Sequence, residues 1–267
     1  MEFNEFESLL GLSHKKIHLD RKAQLQRKKE GIGCALCNYT GYTLTANEKS
    51  VMCTCEKEKF FKDIFIKCDV PQLFLNKTIE DWNVRTDALG NDLGMQQTIS
   101  QYVYTLLKSY DKHFINICNG HLPKLRHTNN IRNSLHSILF EGGIGSGKTF
   151  IASVMVQSAI RKNLTAKYYD WSDLLETFID YDKKNKADEI IDEMKHLNFV
   201  AIDGVEYLNL NHPQLLFHID RFSKARLNSS NPTMIFASNN YTQMQTGSGW
   251  KSLLRNCLTI RLPSTIK

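Results

Sequence analysis

The sequence predicts an α/β fold: a mainly parallel sheet with helices on both faces, preceded by a small cysteine-rich module and a charged N-terminal helix. Three observations lead there. Strand-like and helical segments alternate from about residue 86 to the end. A glycine-rich loop joins one of those strands to the next helix, and four cysteines in paired spacing lie ahead of both. The 267 residues suffice for one sizeable core and a small accessory module. At 42% hydrophobic and 23% charged residues, neither a disordered nor a fibrous chain is expected. The opening "MEFNEFESLLGLSHKK" carries acids where a secretory leader is basic and lacks an apolar run. No later stretch approaches the roughly 18 to 20 apolar residues of a membrane span, so no membrane association and a cytoplasmic location are expected. The net charge of +6 tolerates an anionic partner without requiring one.

Residues 1–31 read as a helix. Phe3, Phe6, Leu9 and Leu10 form a short apolar stripe at helical spacing, and a basic run from Lys15 to Lys29 follows. That run is either a solvated helix face or an arm that docks on a partner or on DNA. Gly31 and Gly33 end the helix and open the cysteine module, 32–70. Pro71 begins a linker, 71–85, reading "PQLFLNKTIEDW", and the α/β domain occupies 86–267. Within it "SILFEG" is a strand, and a helix runs from Lys148 to about Lys162. "AKYYD" is a strand, and helical periodicity covers 172–182 and 187–196. "NFVAID" is a strand, "PQLLFHIDRFSKARL" a helix, "TMIFAS" a strand and "CLTIRL" a last one.

The loop "GGIGSGKT" comprises Gly142, Gly143, Ile144, Gly145, Ser146, Gly147, Lys148 and Thr149. It fits the phosphate-loop pattern without a gap and sits between strand and helix, as that pattern requires. Its glycines let backbone N–H groups wrap a polyphosphate, and the helix N-terminus adds a partial positive charge. Lys148 is expected to reach the β- and γ-phosphates of ATP, and the Thr149 hydroxyl to bind Mg²⁺.

A partner strand should bring a carboxylate to that ion. "FVAID" supplies Asp203 at its carboxyl end, where ligands bind in such sheets. Hydrolysis also needs a base to activate water, and the position after Asp203 is Gly204. Glu206 is the nearest acid: it is either the base, if Gly204 allows the chain to turn back, or a surface glutamate. Turnover is therefore expected to be slow unless Glu206 substitutes. Asn239, at the end of "TMIFASNN", either contacts the γ-phosphate or attacking water from the neighbouring strand, or belongs to a plain turn. Arg255 follows a helical turn carrying Leu253 and Leu254. It is a candidate to stabilise phosphoryl transfer in a neighbouring subunit, with Arg261 the weaker candidate.

Cys34, Cys37, Cys53 and Cys55 have the spacing C-x2-C-x15-C-x-C. Without a secretory leader, thiolate ligation is expected over disulfides, and four thiolates suit a closed structural Zn²⁺ site. Asn38 and Gly41 can take turn geometry that aims N–H groups at sulfur. Cys53 and Cys55, two apart, would share a face of a regular strand. Cys68, Cys118 and Cys257 read as ordinary thiols.

Together the "CxxC…GY…CxC" module, the "PQLF…NKTIEDW" link and the compact phosphate-loop domain resemble the DnaC/DnaI-type replicative helicase loaders, phage-encoded versions especially. The resemblance covers roughly residues 30–265. It implies an AAA+ ATPase of the initiator/loader clade in the bacterial cytoplasm. Lys148 and Thr149 would belong to Walker A, Asp203 would be Walker B, Asn239 sensor 1 and Arg255 the arginine finger. It also implies an ATP-dependent homo-oligomer partnered by a hexameric DnaB-type helicase and single-stranded DNA. Tyr168, Tyr169 and Trp171 are candidates for base stacking, or else core residues. Gly204 and a chain that ends at Lys267, too soon for a helical lid, depart from the family pattern. A transposition-helper ATPase of the IstB kind, or a hydrolysis-defective zinc and nucleotide adaptor, are the alternatives.

Overall fold

A computed structural model describes residues 21–31, 33–44, 50–82, 95–121, 137–180, 184–206, 213–229, 231–238 and 248–262. The apolar stripe of Phe3, Phe6, Leu9 and Leu10 lies outside them. The chain forms two units, Met1–Lys67 and Cys68–Lys267.

In the first unit, α1 (Arg21–Lys29) has no acid in its sequence "RKAQLQRKK". Arg27 pairs with Glu56 at 2.9 Å and the Lys28 ammonium lies 5.7 Å from the Tyr39 ring centroid. A 3-10 turn (Ala35–Cys37) leads to an antiparallel hairpin of β1 (Tyr42–Leu44) and β2 (Ser50–Met52). Helix α2 (Thr54–Lys67) follows at once and buries Phe61 and Phe65, whose rings stack at 6.0 Å. Gly41 is obligatory: its φ is +84°, and a β-carbon there would meet Glu56 Cγ at 2.7 Å.

The second unit begins with two 3-10 turns, Gln72–Phe74 and Ile79–Asp81. The Asp81 carboxylate accepts from the Thr78 N–H at 2.8 Å, which closes the second turn. Helix α3 (Met95–Cys118) follows. Its Val103, Leu106, Leu107, Tyr110, Phe114 and Ile117 recur at three- and four-residue intervals and are all buried, which is one face of a helix.

The remaining elements alternate. They are β3 (Ser137–Glu141), α4 (Lys148–Arg161), β4 (Ala166–Asp170), α5 (Trp171–Ile179), α6 (Lys184–His196), β5 (Phe199–Val205), α7 (Pro213–Ser229), β6 (Thr233–Ala237), α8 (Ser248–Arg255) and β7 (Cys257–Arg261). The five strands pair in the order β4-β5-β6-β3-β7, every pair parallel. Such a sheet must be covered on both faces, and the burial of β3, β5 and β6 agrees. Leu139, Val200, Ile202 and Ile235 join the core built with α5 to α8. The alternate residues of these strands face the other way; Phe140 and Phe236 there stack at 5.1 Å. Helix α4, with Ile151 to Gln157 all buried, is a central helix. Among the described residues, no helix is long and apolar enough to cross a membrane.

One buried cation holds the base of this core together. Arg226 of α7 is 1% exposed. Its guanidinium donates to the carbonyls of Met194, Leu197 (2.8 Å) and Pro232 (2.7 Å) and to Thr233 Oγ1 (3.0 Å). It thereby caps α6 and ties that helix to the entry of β6. Burial lowers its pKa to about 10, so it stays charged at neutral pH. Arg226→Met takes this donor from the Met194 carbonyl and Thr233 Oγ1, while the Leu197 and Pro232 carbonyls keep the Asn231 amide (3.0 Å) and the Val200 N–H (3.4 Å). It should lower the unfolding free energy by roughly 1–3 kcal/mol, and urea denaturation reads the loss.

Candidate functional site

The phosphate loop stands at the carboxyl end of β3. Gly145 (φ +74°) and Gly147 (φ +91°) occupy the left-handed region that a side chain disfavours. Gly142 is needed for a different reason: a β-carbon there would meet Ser146 Oγ at 2.7 Å. Lys148 opens α4, and its ammonium donates to the carbonyls of Gly142 (2.7 Å) and Gly143 (2.8 Å). Burial lowers the Lys148 pKa, while the charges of Asp203 and Glu206 oppose that shift.

A cavity of about 860 Å³ opens over the loop, a volume suited to a nucleotide. Ile144 to Thr149, Asp203 and Glu206 line its polar end. Pro71, Phe74, Trp82 and Phe150 supply an apolar wall. The Phe74 and Trp82 rings lie 6.0 and 5.9 Å from that of Phe150. Gln157 of α4 donates to the Phe74 carbonyl at 2.7 Å, and the Trp82 indole donates to Ser100 Oγ at 3.1 Å, so both rings are held in place. This wall was not legible in the sequence, because two 3-10 turns carry no period of two or 3.6.

Asp203 is 4% exposed at the end of β5 and lines the cavity together with Thr149. The strand that carries it is not the neighbour of β3: β6 lies between them. A hydroxyl and a carboxylate are the hard oxygen donors that Mg²⁺ takes, so Thr149 and Asp203 fit that ion.

Gly204 explains how Glu206 reaches the same cavity. Its φ is +75°, and the pairing of β5 with β6 slips between Ile202 and Val205. In a regular strand Asp203 and Val205 would share one face. The extra residue of the bulge instead puts Val205 on the face of Ile202, and both lie in the same core cluster. The residue after Val205 is thereby returned to the side of Asp203. Glu206 is exposed there and lines the cavity.

Other expected residues fall elsewhere. Asn239 lies outside the described residues; β6, which ends at Ala237, is the neighbour of β3. Arg255 ends α8, is exposed and does not line the cavity of its own chain. Arg261 is paired with Glu141, the residue before the loop, at 2.9 Å. Tyr168, Tyr169 and Trp171 belong to the core rather than to a stacking surface, at 5%, 6% and 1% exposure. Strand alternation sends Tyr168 to Asp203 and Tyr169 to Glu193. Cys68, Cys118 and Cys257 have pKa values raised by burial to about 11, 12 and 12, as unreactive thiols should.

The second site is in the first unit. The sulfurs of Cys34, Cys37, Cys53 and Cys55 all lie within 4.8 Å of one another. Three of the separations are 3.6, 3.7 and 3.9 Å. Ligands about 2.3 Å from a tetrahedral zinc are about 3.8 Å apart, so the cluster has the dimensions of a metal site and not of disulfides. Asn38 (φ +49°) and Tyr39 (φ +61°) turn the chain, and the Gly41 N–H donates to Cys37 Sγ at 3.3 Å. Burial alone would raise the Cys37 pKa, but the hydrogen bonds around its sulfur outweigh it and lower the value to about 6. Burial and the neighbouring sulfurs push Cys55 up. Cys53 and Cys55 do not share a strand face, as their spacing had suggested. β2 stops at Met52, and Cys55 lies in the first turn of α2.

The sheet order, the phosphate loop and the facing Asp203 define a phosphate-loop ATPase fold of the AAA+ type. The sequence profile of the IstB-like ATP binding proteins matches residues 80–245, and the chain belongs to that family. Among solved structures it is similar to the DnaC helicase loader, at 13% identity and a TM-score of 0.51, over 72% of this chain and 99% of that one. It is also similar to the replication initiator DnaA bound to AMPPCP and single-stranded DNA, at 12% identity and a TM-score of 0.51, over 72% of this chain. The match spans 50% of that DnaA chain. These are likenesses of fold. No curated protein matches the sequence significantly.

Proposed function

We propose that this protein is an ATP-dependent loader of a hexameric DnaB-type helicase onto single-stranded DNA in the bacterial cytoplasm, with ATP binding as the switch that assembles copies of the chain. The carrying observation is the cluster of four cysteine sulfurs at zinc-ligand spacing ahead of a phosphate-loop domain, the combination in which the sequence resembles such loaders. In this reading the cysteines hold Zn²⁺ and the first unit grips the helicase.

ATP lies along the cavity with its base against Pro71, Phe74 and Trp82 and its phosphates in the glycine loop. The Lys148 ammonium exchanges the carbonyls of Gly142 and Gly143 for phosphate oxygens. A Mg²⁺ held by Thr149 and Asp203 supplies charge neutralisation when bound. Glu206 takes the proton of the attacking water, and Asn239 orients that water. Arg255, exposed and absent from its own cavity, serves the site of the adjacent copy. That contact makes oligomer state depend on nucleotide state.

Lys148→Ala should weaken ATP binding at least about a hundredfold, about 2.8 kcal/mol, as read by titration of a fluorescent ATP analogue. The loader reading is tested by mixing the protein with a DnaB-type hexamer and measuring complex mass with and without ATP. A complex that forms with ATP and not with Lys148→Ala is expected. Intact ATP binding with no complex in either condition would instead favour a transposition helper. The family match over residues 80–245 is the observation on that side, and such a helper has no need of the cysteine cluster.

A further inference from the structure

We infer that Tyr168 is a positioning residue for the metal-binding carboxylate of the nucleotide site. The inference rests on Asp203 having that role. Tyr168 sits on β4, the edge strand beside β5, where Asp170 is in register with Asp203 and Tyr168 with Ala201. Residues 168, 170, 201 and 203 therefore share one face of the sheet. From that face the Tyr168 hydroxyl donates to Asp203 Oδ2 at 2.9 Å, with both side chains buried and both lining the cavity.

A buried carboxylate with two oxygens can bind an ion through either, and can rotate between them. A phenol hydroxyl that occupies Oδ2 leaves Oδ1 as the oxygen for the ion and fixes the plane of the group. Outer-shell donors of this kind set the orientation of metal ligands. The ring holding the hydroxyl is itself packed in the core. No residue next to Asp203 in sequence provides such a donor: Ile202 is apolar and Gly204 has no side chain.

β4 also carries a control. Tyr169, one residue on and facing the other way, donates its hydroxyl to Glu193 at 2.8 Å and is equally buried. Tyr169→Phe removes the same atom from the same strand without touching Asp203.

The test is the Mg²⁺ dependence of fluorescent ATP binding to the full chain, with binding in excess chelator as the metal-free reference. Tyr168→Phe should raise the Mg²⁺ concentration for half-maximal tightening about tenfold and leave metal-free binding unchanged. Tyr169→Phe should do neither. In an Asp203→Ala background Tyr168→Phe should have no further effect, since the pair is already broken. A Mg²⁺ requirement unchanged by Tyr168→Phe, or one shifted equally by both tyrosine variants, overturns the inference while ATP binding by the wild type stands. Failure of the wild type to bind the analogue at all overturns the reading of the site instead.

Discussion

On the proposed zinc reading, Cys37→Ser should abolish zinc binding by the N-terminal unit and most of its order, while the rest of the chain keeps binding ATP. Among the described residues of Met1–Lys67, the buried apolar side chains are Cys37, Cys53, Phe61 and Phe65. So small a core cannot offset the conformational entropy of a hairpin and two helices. A four-thiolate zinc site contributes on the order of 10 kcal/mol and would then be most of what holds the unit together. Cys37 is the most constrained of the four, since it is buried and takes a hydrogen bond from the Gly41 N–H. Zinc content per chain should fall from one to none. Protease cleavage should become rapid before residue 68, and the affinity for ATP should change less than about twofold because the described residues that line the cavity all belong to the second unit. Full protease resistance after complete zinc removal would show that the apolar contacts suffice.

Glu206→Gln should slow ATP hydrolysis by a factor of about 10²–10⁴ with little change in ATP affinity. The amide keeps the size of the side chain and removes its ability to accept a proton. The expectation follows from the bulge, which sets Glu206 on the cavity side together with Asp203. Steady-state phosphate release in the presence of single-stranded DNA is the measurement. A wild-type rate in Glu206→Gln would show that a different group activates the water. Gly204 itself has open space around its α-carbon, so the demand on it is conformational: a φ of +75° costs any other residue about 1–2 kcal/mol. Gly204 and the return of Glu206 to the cavity side are thus one local feature of the chain.

Much of this was readable in advance, for reasons that differ by residue. The phosphate loop is legible because its glycines, lysine and threonine each answer one requirement of a triphosphate at fixed spacing. The five strands are legible because a parallel sheet buried on both faces makes short apolar runs such as "SILF" and "MIFA". The bulge had a signal in Gly204, since a glycine inside a strand pattern marks one, but which face Glu206 would gain depended on the register with β6. The Phe74 and Trp82 wall had none, because it is made by turns that bring distant residues onto α4. Tyr168 and Tyr169 look alike in sequence and differ only by strand parity, which sends one hydroxyl to the site and the other to Glu193. The cysteine pair at 53 and 55 misled by spacing alone, since a strand-to-helix junction falls between them.

The strand between the phosphate loop and the two acids acts as a gauge. With β6 inserted, β3 and β5 stand two strand spacings apart, roughly 9–10 Å. Adjacent strands would leave half that width between the loop and the two acids. The last residues of β6 lie at the middle of that gap, and Ser238 is fastened there by its N–H to the Val205 carbonyl at 2.8 Å. Ala237, fully buried in the core that also holds Val205, turns out of the plane of the sheet, so this width is set by the backbone of β6 and not by the size of its side chains.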